Sequence, residues 1–286
     1  MQLAKLDNEV IFKKAFGDPT VFQAFVKDIT GVEMDMSQTK IETEKRFSPK
    51  VGNIDFKLDI FAQDITDRIT IEIQRVEYDY HFDRFLHYFF MTIAELQRTS
   101  ADYKISKTVY TIIVLTTKYT INQKNGLPIQ DAVLITDVNP KNLLGEVIDI
   151  YGHKLFFLNY HYRKGDTPKS YNLWFDLMYQ SIHQSASPTL DLKNPIVKRV
   201  TDLISVDKLT AKELAASKIA EGTKMGKVVY ETLAREEGKT EGKIEGKIEA
   251  IPKLYSLGLS TEQISDSLDL PTHIVQAEID KIVLNK

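Results

Sequence analysis

Apolar and polar residues alternate between positions 53 and 76, which predicts two β-strands joined by a short turn. The turn falls in the polar segment DITD, residues 64–67, so the two strands would form a hairpin. In the first strand, 53–62, the even-numbered positions would form one apolar face: Ile54, Phe56, Leu58 and Ile60. In the second strand the odd-numbered positions would do the same: Ile69, Ile71 and Ile73.

A symmetric turn between Ile65 and Thr66 would set the register of this hairpin. Asp59 would then lie opposite Glu72 on the polar face. Side chains directly opposed on neighbouring strands have Cβ atoms about 4.5–5.5 Å apart, so two carboxylates there repel each other unless a cation neutralises them. Mg²⁺ prefers such carboxylate oxygens, but charged residues are also common on any solvated strand face. A metal site and an ordinary wet face therefore both fit the alternation.

The remainder of the first 185 residues combines helix and strand patterns. Apolar spacing predicts two helices within 8–31, separated at Gly17 and Pro19. Strands mixed with helices predict an α/β fold, in which helices flank a mixed sheet. The further predicted elements are a helix over 80–99 and strands over 107–117, 131–138 and 153–162.

Beyond a predicted domain edge at 185–195 the chain becomes helical and strongly charged. Small residues recur there at intervals of four, and the segment EGKTEGKIEGKIE occupies 237–249. A flexible linker is one interpretation, because each glycine inside a helix costs roughly 0.5–1 kcal/mol relative to alanine. The other is a helix whose small residues let a second copy approach, giving a homo-oligomer. The predicted parts are an α/β domain (1–185), a helical extension (186–235), a linker or helix (236–250) and a terminal module (251–286).

The terminal module has the pattern of two short helices joined by a turn. Gly258 would end a preceding helix, Ser260 and Gln263 match a capping box, and Pro271 would precede the last helix. Helix-turn-helix units often bind DNA. This one carries three lysines against five acidic residues, so a protein-interaction or assembly module fits it equally well.

The composition of the chain excludes several classes of protein and of functional site. The chain has no cysteine, which excludes disulfides, thiolate metal sites and a cysteine nucleophile and fits a reducing cytoplasm. Its N-terminus lacks the apolar core of a signal peptide, and its apolar runs are too short to span a bilayer, so we expect a cytoplasmic protein with no membrane partner. With a net charge of −3, any DNA binding requires a local basic patch.

Four stretches of the first domain are informative in their order and spacing: NEVIFKKAFGD, KLDIFAQD with RITIEIQ, HFDRFLHYFFMTIAELQRTSADY and KTVYTIIVL. Together they resemble the Rpn-like recombination-promoting nucleases and transposases, a branch of the PD-(D/E)XK nuclease superfamily. The EGK repeats and LGLSTEQISDSLDLP resemble C-terminal features of the same family. The resemblance implies a restriction-endonuclease-like mixed sheet with a helical C-terminal extension, in a bacterial or mobile-element setting linked to recombination.

The resemblance also implies a DNA endonuclease that uses Mg²⁺ or Mn²⁺. Asp59 matches the central metal-binding aspartate, Glu72 matches the second acid, and the backbone carbonyl of Ile73 would be a further ligand. Glu9 matches the acid of the first helix, on resemblance alone. Gln74 stands where the superfamily has a lysine.

This glutamine departs from the superfamily pattern and leaves the activity open. Gln74 donates only neutral hydrogen bonds, which are roughly half as strong as charge-assisted ones. Lys57, on the same predicted face, could supply the missing charge. The alternatives to an active endonuclease are a weak or inactive nuclease-fold protein that binds DNA or assembles, and a purely structural oligomer. The candidate phosphate contacts are Arg75, Arg84 and Arg98.

Overall fold

The computed structural model describes residues 1–47, 56–74, 81–97 and 104–284, with the side chains of 56, 81, 224–241 and 282–284 excepted. The chain forms two compact units, Met1–Ala220 and Glu221–Lys286. No helix in the described part is both long enough and apolar enough to cross a membrane.

One six-stranded mixed sheet forms the centre of the first unit, with the strand order β1-β2-β3-β4-β6-β5. Strands β3, β4 and β6 run parallel, whereas β1, β2 and β5 each pair antiparallel with their neighbours. The predicted mixed α/β sheet is confirmed. The strands are β1 (Lys40–Phe47), β2 (Phe56–Gln63), β3 (Asp67–Gln74), β4 (Thr108–Leu115), β5 (Val133–Asp137) and β6 (Lys154–Asn159).

In the described part of the first unit, five helices flank this sheet, and a sixth helix begins in the same unit. The predicted break between the first two helices is confirmed: Asn8 and Asp18 cap them by accepting backbone N–H bonds. The helices are α1 (Glu9–Phe16), α2 (Pro19–Thr30), α3 (His81–Ala94), α4 (Lys169–His183), α5 (Pro195–Ile204) and α6 (Ala211–Ser256). Helix α5 lies beyond the predicted domain edge, yet its buried Val200 packs in the main core of the first unit.

The sheet separates two hydrophobic layers. On β4, Ile112 and Val114 pack in the main core with α1, α2, α4 and α5, while Val109 and Ile113 pack against α3. Successive side chains of a strand point to opposite faces, so α1 and α3 lie on opposite sides of the sheet.

The predicted hairpin register is confirmed, because Ile60 lies opposite Ile71 and Ala62 lies opposite Ile69. The prediction that Leu58 shares the apolar face of Ile60 is wrong. Ile60 packs in the main core beside α1, but Leu58 packs with Phe61 and with side chains of α3. Strand β2 therefore changes its orientation between these two residues, close to Asp59.

Strand β1 was not predicted from the sequence. Its residues KIETEKRF are mostly charged, and the strand lies at the edge of the sheet, where charged side chains discourage pairing with other chains. It forms a ladder with β2 from Lys40 opposite Gln63 to Phe47 opposite Phe56. This edge strand brings Glu44 to the candidate site.

The second unit contains the rest of α6, followed by α7 (Thr261–Leu268) and α8 (Thr272–Leu284). The EGK repeat lies within α6, so the structure has the helix rather than the linker. The predicted capping box of Ser260 and Gln263 is confirmed at the start of α7. A small apolar cluster joins the three helices: Ile251, Ile264, Leu270, Val275 and Ile279. Self-association through this region stays a prediction.

Candidate active site

Strands β2 and β3 separate where the two predicted carboxylates lie. The paired residues end at Ile60 and Ile71. Beyond them, the backbone N–H of Asp59 donates to Oε1 of Glu72 (2.8 Å), and the N–H of Ile73 donates to Oδ2 of Asp59 (3.2 Å). In a regular ladder of this register the N–H of Ile73 would donate to the carbonyl of Leu58, so Oδ2 of Asp59 takes the place of a backbone acceptor. We call the gap lined by Asp59, Glu72 and Ile73 the β2–β3 crevice.

Both carboxyl groups of the crevice are poorly solvated. Glu72 is 5% exposed, and burial together with the negative charge of Asp59 raises its pKa well above the ordinary value. Burial also raises the pKa of Asp59, although the nearby Lys13 charge and the Ile73 N–H oppose this shift. Two poorly solvated acids whose pKa values are both raised favour a cation or a proton in the same place.

Lys13 of α1, which sequence reasoning did not select, lies beside Asp59. Its Nζ is 3.4 Å from Oδ1 of Asp59 and 2.9 Å from Oε1 of Glu44, and it also pairs with Glu9. Burial lowers its pKa, but hydrogen bonds to Glu9 and Glu44 and the charge of Asp59 outweigh this, so the pKa is raised. The charged form of Lys13 is therefore favoured at the crevice. The spacing of Glu9 and Lys13, four residues apart on a helix, could have indicated this pair.

Glu44 of the edge strand holds two lysines at once. Its Oε1 lies 2.9 Å from Nζ of Lys13 and 3.0 Å from Nζ of Lys57, and these bonds lower the pKa of Glu44 to about 2. The residue has φ +65°, in the left-handed region. For a side chain other than glycine this conformation costs roughly 1–2 kcal/mol. Thr43 and Lys45 pair with Ile60 and Leu58, so Glu44 interrupts the ladder at the level of Asp59.

The other predicted residues divide between the two sides of the crevice. Glu9 and Lys57 lie together, with Nζ of Lys57 3.6 Å from Oε1 of Glu9. On the side of α3, Arg84 donates a hydrogen bond to Oε1 of Gln74. Its guanidinium lies over the rings of Phe85 and Tyr88, at 5.2 and 5.6 Å from their centroids.

Arg84 retains hydrogen-bonding capacity at this position. Its buried Nε has no hydrogen-bond partner within the described ranges. A buried donor of this kind favours an acceptor such as a phosphate oxygen. The other two predicted contacts, Arg75 and Arg98, lie outside the described residues.

The donor set of the crevice fits a hard divalent cation, since it consists of carboxylate and carbonyl oxygens. The carbonyl of Gln74 accepts the N–H of Thr116 from the β4 side (3.0 Å). Because successive residues of a strand direct their backbone groups to opposite neighbours, the carbonyl of Ile73 faces β2, as its N–H does. The Lys13 ammonium beside Asp59 shows that positive charge is accommodated here.

No group of three or more His, Asp or Glu side chains is arranged to hold a metal within the described ranges. The protein would therefore contribute two carboxylates and a carbonyl. Mg²⁺ commonly keeps water and substrate oxygens in its remaining positions.

The mixed sheet flanked by helices is consistent with a nuclease-like fold. The sequence matches the family described as PD-(D/E)XK nuclease family transposase over residues 7–226, and the chain belongs to this family. The predicted family is thus confirmed, and the matched range contains Glu9, Asp59, Glu72 and Gln74. Neither the curated proteins nor the solved structures contain a match to this chain.

Proposed function

We propose that the protein is a metal-dependent endonuclease that hydrolyses phosphodiester bonds of DNA, with its catalytic centre in the β2–β3 crevice. The observation that carries the proposal is a pair of carboxylates between adjacent strands, Glu72 buried and Asp59 largely so, each fixed by a backbone N–H of the other strand. A carboxylate pair fixed in this way is preorganised for a divalent ion.

The proposed reaction consumes one water for each bond broken. The water oxygen forms a bond to phosphorus, and the bond from phosphorus to one ester oxygen breaks. The leaving oxygen takes up a proton, and the attacking water releases one. A bound Mg²⁺ or Mn²⁺ would polarise the phosphate and make the water more acidic.

Each residue of the crevice would have a role in this reaction that follows from its position. Asp59, Glu72 and the carbonyl of Ile73 would hold the cation. Gln74 would act through a neutral hydrogen bond, and it also anchors Arg84 at the crevice. Arg84 would bind a phosphate oxygen of the DNA, because its buried Nε donor needs an acceptor.

The family supports the biological setting of this proposal. The matched family is described as transposases, which supports a role in recombination or in mobile elements. DNA as the partner and the cytoplasm as the compartment belong to the same proposal. Glu9 would act indirectly, since its carboxylate pairs with both Lys13 and Lys57.

A DNA-binding or assembly protein with weak cleavage is the second candidate. Gln74 favours it, because no ammonium occupies the position of the superfamily lysine. This candidate predicts that the protein binds DNA near Arg84 but cleaves it weakly or not at all.

The test is cleavage of supercoiled plasmid by the purified full-length protein with Mg²⁺, Mn²⁺ or EDTA. Asp59→Asn and Glu72→Gln should each lower the metal-dependent rate by roughly 100-fold or more, as expected for a catalytic electrostatic contact. Glu42→Gln is the matched control, since this carboxylate lies on the neighbouring strand β1 and pairs with Lys45.

Equal cleavage by all four proteins would refute the crevice as the catalytic centre. DNA binding by the wild type without any cleavage would favour the second candidate.

A further inference from the structure

We infer that Lys13 is a catalytic residue, the cation that contacts the scissile phosphate and replaces the lysine absent at position 74. This inference rests on the proposed function and assigns a role to a residue of a different element, helix α1.

Lys13 differs from Lys57, the other lysine near the site, in its location and its exposure. Nζ of Lys13 lies 3.4 Å from Oδ1 of Asp59, and its side chain is 10% exposed. Lys57 contacts Glu9 and Glu44, and its side chain is 37% exposed. Water screens an exposed charge far more than a buried one, so Lys13 would act on a phosphate at the crevice more strongly.

The ammonium is held on several sides. A lysine has three N–H donors, and Lys13 has three carboxylate partners: Glu9, Glu44 and Asp59. Glu9 and Glu44 would engage two of the donors, which leaves the third for the more distant Asp59, whose Oδ1 is 3.4 Å from Nζ. A phosphate oxygen bound beside Asp59 would lie within reach of that donor.

Helix α1 provides a rigid base for this side chain. Its Phe12 and Phe16 are buried and stacked, with ring centroids 4.4 Å apart. Its cap residue Asn8 also donates from Nδ2 to the carbonyl of Ser217 (2.9 Å). A catalytic charge on a fixed element needs little reorganisation during the reaction.

A structural role for Lys13 is the alternative, in which the ammonium only neutralises the acids around it. In that case, saturating Mn²⁺ would neutralise these acids in place of the ammonium. A variant without Lys13 would then cleave DNA at the wild-type rate. A catalytic role predicts that the rate stays low even at saturating Mn²⁺.

The experiment compares Lys13→Met, Lys13→Arg and Lys14→Met in single-turnover plasmid cleavage at saturating Mn²⁺, after circular dichroism has confirmed folding. Lys14→Met is the matched control, because the neighbouring lysine of the same helix pairs with Glu213, at 2.9 Å, instead of with the crevice. Lys13→Met should lower the maximal rate by roughly 100-fold or more with at most about a threefold change in the half-saturating DNA concentration. Lys13→Arg should restore part of the rate, and Lys14→Met should cleave like the wild type.

A second readout does not depend on activity. Mn²⁺ should raise the melting temperature of Lys13→Met at least as much as that of the wild type, since the ammonium no longer competes for Asp59. Loss of this response, or wild-type cleavage by Lys13→Met, would overturn the inference while the proposed function stands. If the wild type itself failed to cleave, the proposed function would be refuted together with this role.

Discussion

The backbone N–H of Asp59 donates a 2.8 Å hydrogen bond to Oε1 of Glu72, so a side chain of β3 accepts a backbone bond from β2 where their ladder has ended. The bond fixes the second acid while keeping it out of solvent. Burying a carboxylate in this way costs folding free energy, because water no longer solvates it. The preorganised pair of acids in the crevice therefore lowers the stability of the folded protein.

Glu72→Gln should make the protein more stable at neutral pH. The folded protein holds a proton on Glu72 more tightly than the unfolded chain does, since burial raises its pKa. Its contribution to stability is complete below the unfolded pKa and is lost as the pH rises through the folded pKa. The glutamine keeps an Oε1 acceptor without the charge, so we expect a gain of roughly 1–3 kcal/mol at pH 7 in urea unfolding.

The same comparison at low pH serves as the control. Below about pH 4 both proteins carry an uncharged group at position 72, so the difference in unfolding free energy should shrink. A stability gain that is equal at all pH values would contradict the assignment to a buried charge.

Glu44→Gly should be more stable than Glu44→Ala. Both variants lose the ion pairs with Lys13 and Lys57, but only glycine adopts φ +65° without strain. We expect a difference of about 1 kcal/mol in the unfolding free energies of the two variants. Equal stability would mean that β1 does not hold a left-handed residue at this position.

Lys57→Met should reduce cleavage much less than Lys13→Met. The Lys57 side chain is 37% exposed and contacts Glu9 and Glu44, so its charge is partly screened. We expect a loss of less than about tenfold for Lys57→Met, against roughly 100-fold for Lys13→Met, in the same single-turnover assay. The reverse order would assign the missing charge to Lys57.

His153→Asn should make stability less sensitive to acid. His153 is 4% exposed, and its Nδ1 accepts the N–H of Val109 (3.0 Å). Burial lowers the pKa of His153, so its contribution to stability is complete above about pH 6.5 and is lost as the pH falls below that value. The asparagine can offer an acceptor without taking a proton.

The measurement is the unfolding free energy at pH 7 and pH 5. Between them the wild type should lose more stability than His153→Asn, by an amount of the order of 1 kcal/mol. Parallel losses in the two proteins would exclude His153 as the source. A residual pH dependence is expected from His161, whose pKa burial also lowers.

The hairpin shows what the sequence could predict. Alternation and a single polar turn determined which residues oppose each other, and the structure has that register up to Ile60 and Ile71. The separation of the strands at Asp59 could not be predicted, because the alternation of apolar and polar residues continues through it. The edge strand that brings Glu44 to the same level has no apolar alternation, so it was not predicted either.

Lys13 shows where sequence reasoning was insufficient. In the segment FKKAF, two adjacent lysines fit the solvated face of an amphipathic helix, and only the tertiary structure separates them. Lys14 reaches Glu213 of α6, while Lys13 reaches Asp59 in the sheet. The partner of a charged side chain distant in sequence depends on packing that no local pattern encodes.

The most direct test of the β2–β3 crevice is an anomalous difference map from crystals of the full-length protein grown with Mn²⁺. We expect one strong peak at about 2.1 Å from carboxylate oxygens of Asp59 and Glu72 and from the carbonyl of Ile73. A peak at other residues, or none at a Mn²⁺ concentration that supports plasmid cleavage, would contradict the assignment of this crevice as the metal centre.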